Sequence, residues 1–498
     1  MELHLTASYA DESNADLLAA VVDTTEQVPD ELRQLDEHLG GAIARELARG
    51  VLTTKSAGVV TVTGAATGPG LLALVTTGPT DDGVADAWRV AGAKAASAAR
   101  AAKARTVALS VPSDPEQVDA FVTGFVLGQY RIHKYRTPTS EHSGDDTSDR
   151  YRGPEALTLH GDVDAIGDVA RRALTIAMAQ NWARDLANAP ANRLMPIDLA
   201  AEAEALAAKH VHLTYHDLDR VGIESAGMGM FAGVAQGSAD EPRLIVLEWN
   251  PPESSEADEE RLALVGKAVM FDTGGISIKP SGGMEDMKLD KSGGCAVLGA
   301  MRAIAETNVP RRILAVVGST TNMPDGNAYR PGDVLTAMDG TTVEIISTDA
   351  EGRLVLGDCI TYARGRGCNA IVEASTLTGA MVIALGHRYT GAIGKKGPLR
   401  DAVIAAGEAT GDHAWAMPMH DEYKANLKTA CADLKNSGGR DGGALSAGSF
   451  LGHFAKDTPF VHLDVAGTAM LPKPRMWFGS KGASGAAVRL MVELAASR

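Results

Sequence analysis

A chain of 498 residues exceeds one ordinary domain, and 45% hydrophobic content is enough for two unequal cores. Aromatics are only 4%, against abundant Ala and Gly, which suits helices packed closely on sheets rather than an aromatic-lined groove. A formal net charge of -16 argues against non-specific binding to nucleic acid or anionic membranes, both of which need clustered positive charge.

Met1 to Leu5 lacks the basic region and apolar run of a signal peptide, and no later apolar stretch is long enough to span a bilayer. Short β-rich runs follow at Val59 to Thr63, Leu71 to Thr76 and Thr106 to Val111, with helical patterns at Gly83 to Lys103 and Gln117 to Gln129. Such alternation predicts an α/β layer structure. Ser140 to Pro154 is polar and aperiodic, so a mobile loop near a domain boundary is expected. Val163 to Asn188 reads as one long helix that ties two domains together. The expected division is an N-terminal domain over 1–160 and a larger domain over 161–498, with 161–188 as the linking helix.

A second α/β series predicts strands at Arg243 to Trp249, Leu262 to Phe271, Arg312 to Val317, Thr342 to Ile346, Ala370 to Glu373 and Val461 to Val465. Helices lie between, including Cys295 to Thr307 and Leu354 to Arg364. Glu253 to Glu260 reads as a solvated acidic loop. Strand–helix–strand units force parallel crossovers, so a mainly parallel twisted sheet is expected, with its site at the strand C-termini.

Two segments at such strand ends carry chemistry. In Thr348-Asp349-Ala350-Glu351-Gly352-Arg353, three charged residues are spaced two apart, which in extended chain places them on one side. Two carboxylates aimed at one spot need a cation, or one must stay protonated. Hard oxygen ligands suit magnesium, manganese or zinc. The same residues also match a capping box, Thr348 with Glu351, and an i,i+4 ion pair, Asp349 with Arg353. Upstream, Lys267 sits inside an apolar strand, where desolvation can leave a neutral amine able to ligate metal; an edge-strand or snorkelling lysine is the alternative. Asp272 ends that strand before Thr273-Gly274-Gly275. On a straight strand Lys267 and Asp272 face opposite ways, so both can line one site only if the chain bends between them. Asp290 precedes Gly293-Gly294, and an N-cap for the helix from Cys295 is its lesser, alternative reading.

These strings, Lys267, Asp272-Thr273-Gly274-Gly275-Ile276-Ser277-Ile278-Lys279-Pro280, Met287-Lys288-Leu289-Asp290 and Thr348 to Leu354, resemble the leucyl aminopeptidase (cytosol aminopeptidase) family of two-metal peptidases. Ser375-Thr376-Leu377-Thr378-Gly379, Arg184 to Asn188 and His462 to Thr468 extend the likeness over the whole C-terminal domain. Ser347 stands where Asn is usual, and Lys291-Ser292 replace the usual Met and small residue. The resemblance implies a smaller N-terminal macro-like α/β domain and a catalytic domain that cleaves N-terminal, leucine-type residues from peptides. By the same resemblance, Asp272 and Glu351 would bridge two divalent ions, Mn2+ or Zn2+ with Mg2+ as a further option. Asp349 would complete one metal position, and Lys267 and Asp290 the other. Lys279 would stabilise the oxyanion, and Arg353 would hold a bicarbonate serving as general base. Met287, Thr376, Gly379, Ala466 and Ala469 would shape the side-chain pocket, with Leu377 offering backbone contacts. A cytoplasmic homohexamer is also implied.

A DNA-binding or scaffold role on the same fold is the competing hypothesis; the acidic chain and intact ligand set weigh against it. A two-metal phosphatase would want His-rich ligands, which these segments lack. The four cysteines form no Cys-x-x-Cys pair, so thiolate zinc sites have no support, and their sparse scatter fits a reducing compartment. His387, His413, His420, His453 and His462 read as structural or surface residues. Gly391 to Lys396 reads as a turn, and Gly438 to Gly443 as a loop, either over the site or at the surface.

Overall fold

The computed structural model describes residues 1–7, 13–22, 27–53, 55–63, 69–78, 83–111, 114–135, 153–252 and 261–497. Nearly all of the expected loop at Ser140 to Pro154, and the acidic run Glu253 to Glu260, lie outside them. The chain forms two compact units, Met1–Met178 with Pro472–Lys481, and Ala179–Leu471 with Gly482–Arg498. The division falls inside the long helix, whereas the sequence reading places it ahead of that helix at 160/161.

In the first unit β1 (Glu2–Thr6), β2 (Leu17–Val21), β3 (Val59–Thr63), β4 (Leu71–Val75), β5 (Thr106–Ser110) and β6 (Ala156–His160) form one sheet in the order β1-β6-β5-β2-β4-β3. Only the β3–β4 pairing is antiparallel. Helices α1 (Arg33–His38), α2 (Ala42–Ala48), α3 (Val84–Ala101) and α4 (Pro115–Gln129) belong to this unit. The apolar run of β2, Leu-Leu-Ala-Ala-Val, escaped the sequence reading because a strand buried on both faces shows no alternation.

Helix α5 (Val163–Asn188) leads into the second unit. Strands there are β7 (Leu213–Leu218), β8 (Arg243–Trp249), β9 (Leu262–Asp272), β10 (Ile313–Asn322), β11 (Val334–Thr336), β12 (Thr342–Glu344), β13 (Ala370–Ser375), β14 (Thr390–Gly394), β15 (Ala414–Met417), β16 (Leu434–Lys435), β17 (Phe460–Asp464), β18 (Met470–Leu471) and β19 (Gly482–Ala483). Helices are α6 (Pro196–Ala207), α7 (Arg220–Ser225), α8 (Gly229–Ala235), α9 (Ser292–Glu306), α10 (Gly352–Gly365), α11 (Gly379–Leu385), α12 (Pro398–Thr410), α13 (Asp421–Ala425), α14 (Gly443–Ala455) and α15 (Val488–Ser497). Eight strands form a sheet in the order β15-β14-β17-β13-β9-β10-β8-β7. The central four, β17-β13-β9-β10, are mutually parallel, and antiparallel pairings occur toward the edges. Strand β12, which the sequence reading places in the α/β series, instead joins a small separate sheet with β11 and β16. The expected turn at Gly391 to Lys396 is mostly strand β14. Among the described residues, no helix is long and apolar enough to cross a membrane.

Two local features position what lies at the strand ends. Between Val269↔Thr320 and Asp272↔Asn322 the β9–β10 register shifts, with three steps on β9 against two on β10. This β-bulge restores Asp272 to the side of the sheet that Lys267 faces, which is the bend the sequence required. Helix α9 packs on β9 and β13 through glycines. A Cβ on Gly293 would lie 2.1 Å from the Ala374 carbonyl oxygen, and one on Gly266 would lie 2.7 Å from the Gly294 Cα. Gly293→Ala should therefore push the start of α9, and Asp290 just before it, off the sheet. Overpacking of this kind costs about 1–3 kcal/mol. Urea denaturation should show that loss, and parental stability would refute so tight a contact.

Candidate active site

Beyond the C-terminal ends of the parallel strands lies a cavity of about 480 Å3. Its lining includes Lys267, Asp272, Lys279, Met287, Asp290, Asp349, Glu351, Thr376, Leu377, Gly379, Ala466 and Ala469. Every expected site residue except Arg353 is therefore on its wall.

Charge is concentrated at one end. Asp272, Asp290 and Glu351 are buried, and each offers an oxygen within 4.8 Å of the others. Lys267, only 3% exposed, places its Nζ 2.8 Å from both Asp290 Oδ2 and Glu351 Oε1. It also donates to the Thr376 carbonyl at 3.3 Å. Lys279 Nζ lies 2.7 Å from Asp272 Oδ2 and pairs with Asp349.

Each side chain arrives by a different local device. Lys267 and Asp272 come from β9 on either side of the bulge. Gly274 and Gly275, both at positive φ, then turn the chain sharply so that Lys279 returns to the site. The Gly274 N–H donates to Asp272 Oδ1 at 2.9 Å. Asp290 does not cap a helix. Its Oδ1 instead accepts from Lys267 at 2.9 Å and from the Thr376 hydroxyl at 2.8 Å, and α9 begins at Ser292 without a side-chain cap.

The segment Thr348 to Arg353 is not extended, as the spacing suggested. It turns at Thr348 and Asp349, and Glu351 takes helical dihedrals as the residue before α10. No capping box forms, because the Thr348 hydroxyl bonds to the Gly274 carbonyl and accepts from the Ser277 N–H. Asp349 pairs with Lys279 and not with Arg353. Arg353 is buried off the cavity wall, with Nη1 donating to the Asn436 carbonyl at 2.9 Å. Burial pulls its pKa down to about 10, against the pull of Glu351 and Asp464, and its Nε has no hydrogen-bond partner.

Burial alone would drive Lys267 toward the neutral amine, but Asp290, Glu351 and Asp272 outweigh it and hold the ammonium protonated. Burial likewise favours a neutral Lys279, and Asp272 and Glu351 override it. Asp290 goes the other way. Burial and the neighbouring Asp272 and Glu351 push its carboxyl up to about 8, despite Lys267. Asp272, also buried, is nevertheless held low by Lys267 and Lys279. Four carboxylates against two ammonium groups leave an excess of negative charge in a low-dielectric pocket, which protonation of Asp290 only partly relieves. A donor set of hard oxygens with surplus negative charge fits divalent cations.

Several contributors escaped the sequence reading. Asn322 at the end of β10 donates through Nδ2 to Asp272 Oδ1 at 2.8 Å and to the Thr348 carbonyl at 3.0 Å. The Tyr329 hydroxyl donates to that same carbonyl at 2.9 Å. Asn436 receives Arg353 and, through Oδ1, the Ile346 N–H at 2.8 Å. The one available signal was polar Ser319 to Asn322 closing an otherwise apolar strand. Gly438 to Gly443 are not among the residues lining the cavity.

Residues 181–492 match the catalytic domain of the cytosol aminopeptidase family, and residues 20–139 match its N-terminal domain. The chain belongs to the cytosol aminopeptidase family. It is 46% identical over 376 residues to a probable cytosol aminopeptidase of Solibacter usitatus, covering 76% of this chain and 75% of that one. A probable cytosol aminopeptidase of Alkaliphilus oremlandii is 36% identical over 488 residues, 97% of this chain and 96% of its own. Among solved structures, a tomato leucine aminopeptidase mutant matches with a TM-score of 0.86 and 29% identity, covering 100% of this chain and 97% of that one. The bottromycin maturation enzyme BotP in complex with Mn matches at 0.83 and 31% identity, covering 97% and 99%. This cytosol aminopeptidase is thus a hydrolase, a metal-dependent aminopeptidase.

Gly352 presses on the cavity's buried lysine: a Cβ there would lie 2.5 Å from Lys267 Cε and 2.7 Å from Nζ. Gly352→Ala should displace the ammonium from Asp290 and Glu351. Small misplacements at a reacting centre cost about 100-fold, so kcat/KM on leucine p-nitroanilide should fall by about that factor. Parental kcat/KM would reject the role of this contact.

Proposed function

We propose that this aminopeptidase removes apolar, leucine-type residues from peptide N-termini, using two divalent ions held by Lys267, Asp272, Asp290, Asp349 and Glu351. The observation that carries this reading is the convergence of Asp272, Asp290 and Glu351 around Lys267. Mn2+ or Zn2+ is favoured, with Mg2+ as a further option; BotP, with 31% identity, is known in complex with Mn. When bound, such ions supply Lewis acidity, polarising a carbonyl and acidifying water.

The chain's own residues do the rest. Lys267 keeps its proton because of the carboxylates around it. Once their charge is neutralised, burial dominates, and its amine becomes available as a ligand. Lys279, at the edge of the cluster, presents a fixed positive charge toward a developing oxyanion. Arg353, buried with an unpartnered Nε, suits a small anion beside Glu351, and bicarbonate as general base is the proposed occupant. Met287, Thr376, Gly379, Ala466 and Ala469 would receive the N-terminal side chain, and Leu377 would offer its backbone to the peptide. The cavity walls add Leu289, Val382 and Met470, which exclude water from the side chain. We further propose a cytoplasmic homohexamer. Three of the four cysteines are buried and none is in a disulfide, as suits a reducing compartment. Ile383 is 86% exposed, and Trp415 on edge strand β15 is 56% exposed, which suits burial between subunits. Peptides are the expected partners, without membrane, and the acidic surface disfavours nucleic acid.

Chelation should abolish hydrolysis of leucine p-nitroanilide, with recovery on adding Mn2+ or Zn2+. Glu351→Gln should lower kcat/KM by about a thousandfold or more, since metal-centred charge stabilisation is worth several kcal/mol. Activity that survives both treatments would remove the two-ion scheme. The apolar walls also predict that Leu p-nitroanilide is cleaved at least about tenfold better than the Asp analogue. A preference for the acidic substrate would overturn the pocket assignment.

A further inference from the structure

Behind the cavity, β13 and β17 carry a line of buried ionisable groups that the scheme above does not use. Glu373 and His462 sit directly opposite each other on the two parallel strands, and Ser375 opposes Asp464 two residues on. Two-residue spacing keeps Glu373, His462 and Asp464 on one face of the sheet. All three are fully buried. His462 Nδ1 hydrogen-bonds Glu373 Oε2, and its Nε2 lies 3.8 Å from Asp464 Oδ2, inside ion-pair range.

Asp464 then reaches the cavity wall. Its Oδ1 accepts from the Leu377 N–H at 3.3 Å and from the Ala466 N–H at 3.2 Å, and its Oδ2 accepts from the Thr378 hydroxyl at 2.6 Å. Leu377, Thr378 and Ala466 all line the cavity. One buried carboxylate thus ties two separate loops of the wall together.

Stability does not account for this arrangement. Two carboxylates and an imidazole in a dry sheet face incur a desolvation penalty that apolar side chains of similar volume avoid. Glu373 Oε1 has no hydrogen-bond partner, so the group is not even fully satisfied. Burial disfavours the imidazolium, but Glu373 and Asp464 together raise His462 to about 9. Two further groups that interact with this line are on α10. Arg353 acts electrostatically on Asp464, and Cys359 feels the charge of Glu373. The β14 partners of His462 and Asp464 are Ile393 and Gly391.

We propose that Glu373 and His462 are positioning residues of this aminopeptidase: together they orient Asp464, which clamps the backbone of Leu377 and Ala466 and the hydroxyl of Thr378 on the wall that receives the substrate. The inference rests on the proposed use of that wall for substrate. The positive imidazolium offsets the charge of Asp464, and Glu373 fixes the ring so that Nε2 faces Asp464. Loosening either partner should leave the carboxylate–lysine cluster in place and blur the peptide-holding loop.

The test uses the full chain with its metal loaded, comparing parent, His462→Gln, Glu373→Gln and the double variant Glu373→Leu with His462→Leu, which keeps a dry, packed pair should either single variant fold poorly. Two readouts are decisive. Amide hydrogen exchange at Leu377 and Ala466, which needs no turnover, should quicken at least about tenfold in the variants while the rest of β13 and β17 keeps its protection. In steady-state kinetics with leucine p-nitroanilide, kcat/KM should fall at least about tenfold, with metal content by elemental analysis unchanged. The parent's kcat/KM should decline as pH rises through about 9, where His462 loses its proton, and that limb should be missing in the His462 variants. Parental exchange at Leu377 and Ala466 overturns the clamp, and parental kcat/KM with an unaltered alkaline limb overturns its catalytic use. An inactive parent would instead sink the aminopeptidase reading, leaving exchange to decide the clamp.

Discussion

Repulsion among buried carboxylates is the constraint on which the catalytic unit is organised. Asp272, Asp290 and Glu351 bring oxygens within 4.8 Å of one another in a nearly dry pocket. An arrangement of this kind survives only if positive charge is supplied. Lys267 and Lys279 supply part of it, and the proton drawn onto Asp290 a further part. What is left over is surplus negative charge, which divalent cations are suited to balance.

Holding such a cluster together falls to rigid backbone. The clustered side chains come from the end of a central strand, the segment before α9 and the turn that leads into α10. The bulge in β9 re-aims Asp272, and glycines at 293 and 352 let backbone press against the sheet and against Lys267. Parallel strands buried on both faces give this platform its stiffness, and their aligned C-terminal ends leave the opening where the cavity forms. Polar residues one step behind, Asn322, Tyr329 and Asn436, then lock the loops by hydrogen bonds to backbone and carboxylate. The Asp464 end of the Glu373–His462–Asp464 line makes comparable hydrogen bonds to Leu377, Thr378 and Ala466 on the cavity wall.

Much of the site was legible in the sequence because its chemistry is carried by unusual local strings. A lysine in an apolar strand, an Asp-Thr-Gly-Gly turn and a Thr-Asp-Ala-Glu-Gly-Arg run each admit an ordinary structural reading, and it is their occurrence together that points to a site. Asn322 and Asn436 gave no comparable signal, since a polar residue at a strand end or in a loop is commonplace. Their importance comes only from what they touch. The capping box at Thr348 and the N-cap at Asp290 were plausible local readings that tertiary contacts overrode. Each side chain found a stronger partner far away in sequence, in Gly274 for the one and Lys267 for the other.

The amino-acid sequence by itself determined the α/β class, most of the strands of the large sheet, the composition of the charged cluster and the likeness to a two-metal peptidase family. The elements follow from periodicity, and the cluster and the family likeness from short residue strings, all of which are local properties. Only the tertiary structure decided that the β9 bulge turns Asp272 toward Lys267, that Arg353 lies behind the cavity wall, and that carboxylates outweigh burial at the lysine. The reason is physical: electrostatic balance depends on distances between groups separated by many residues of chain, and no local pattern encodes those distances.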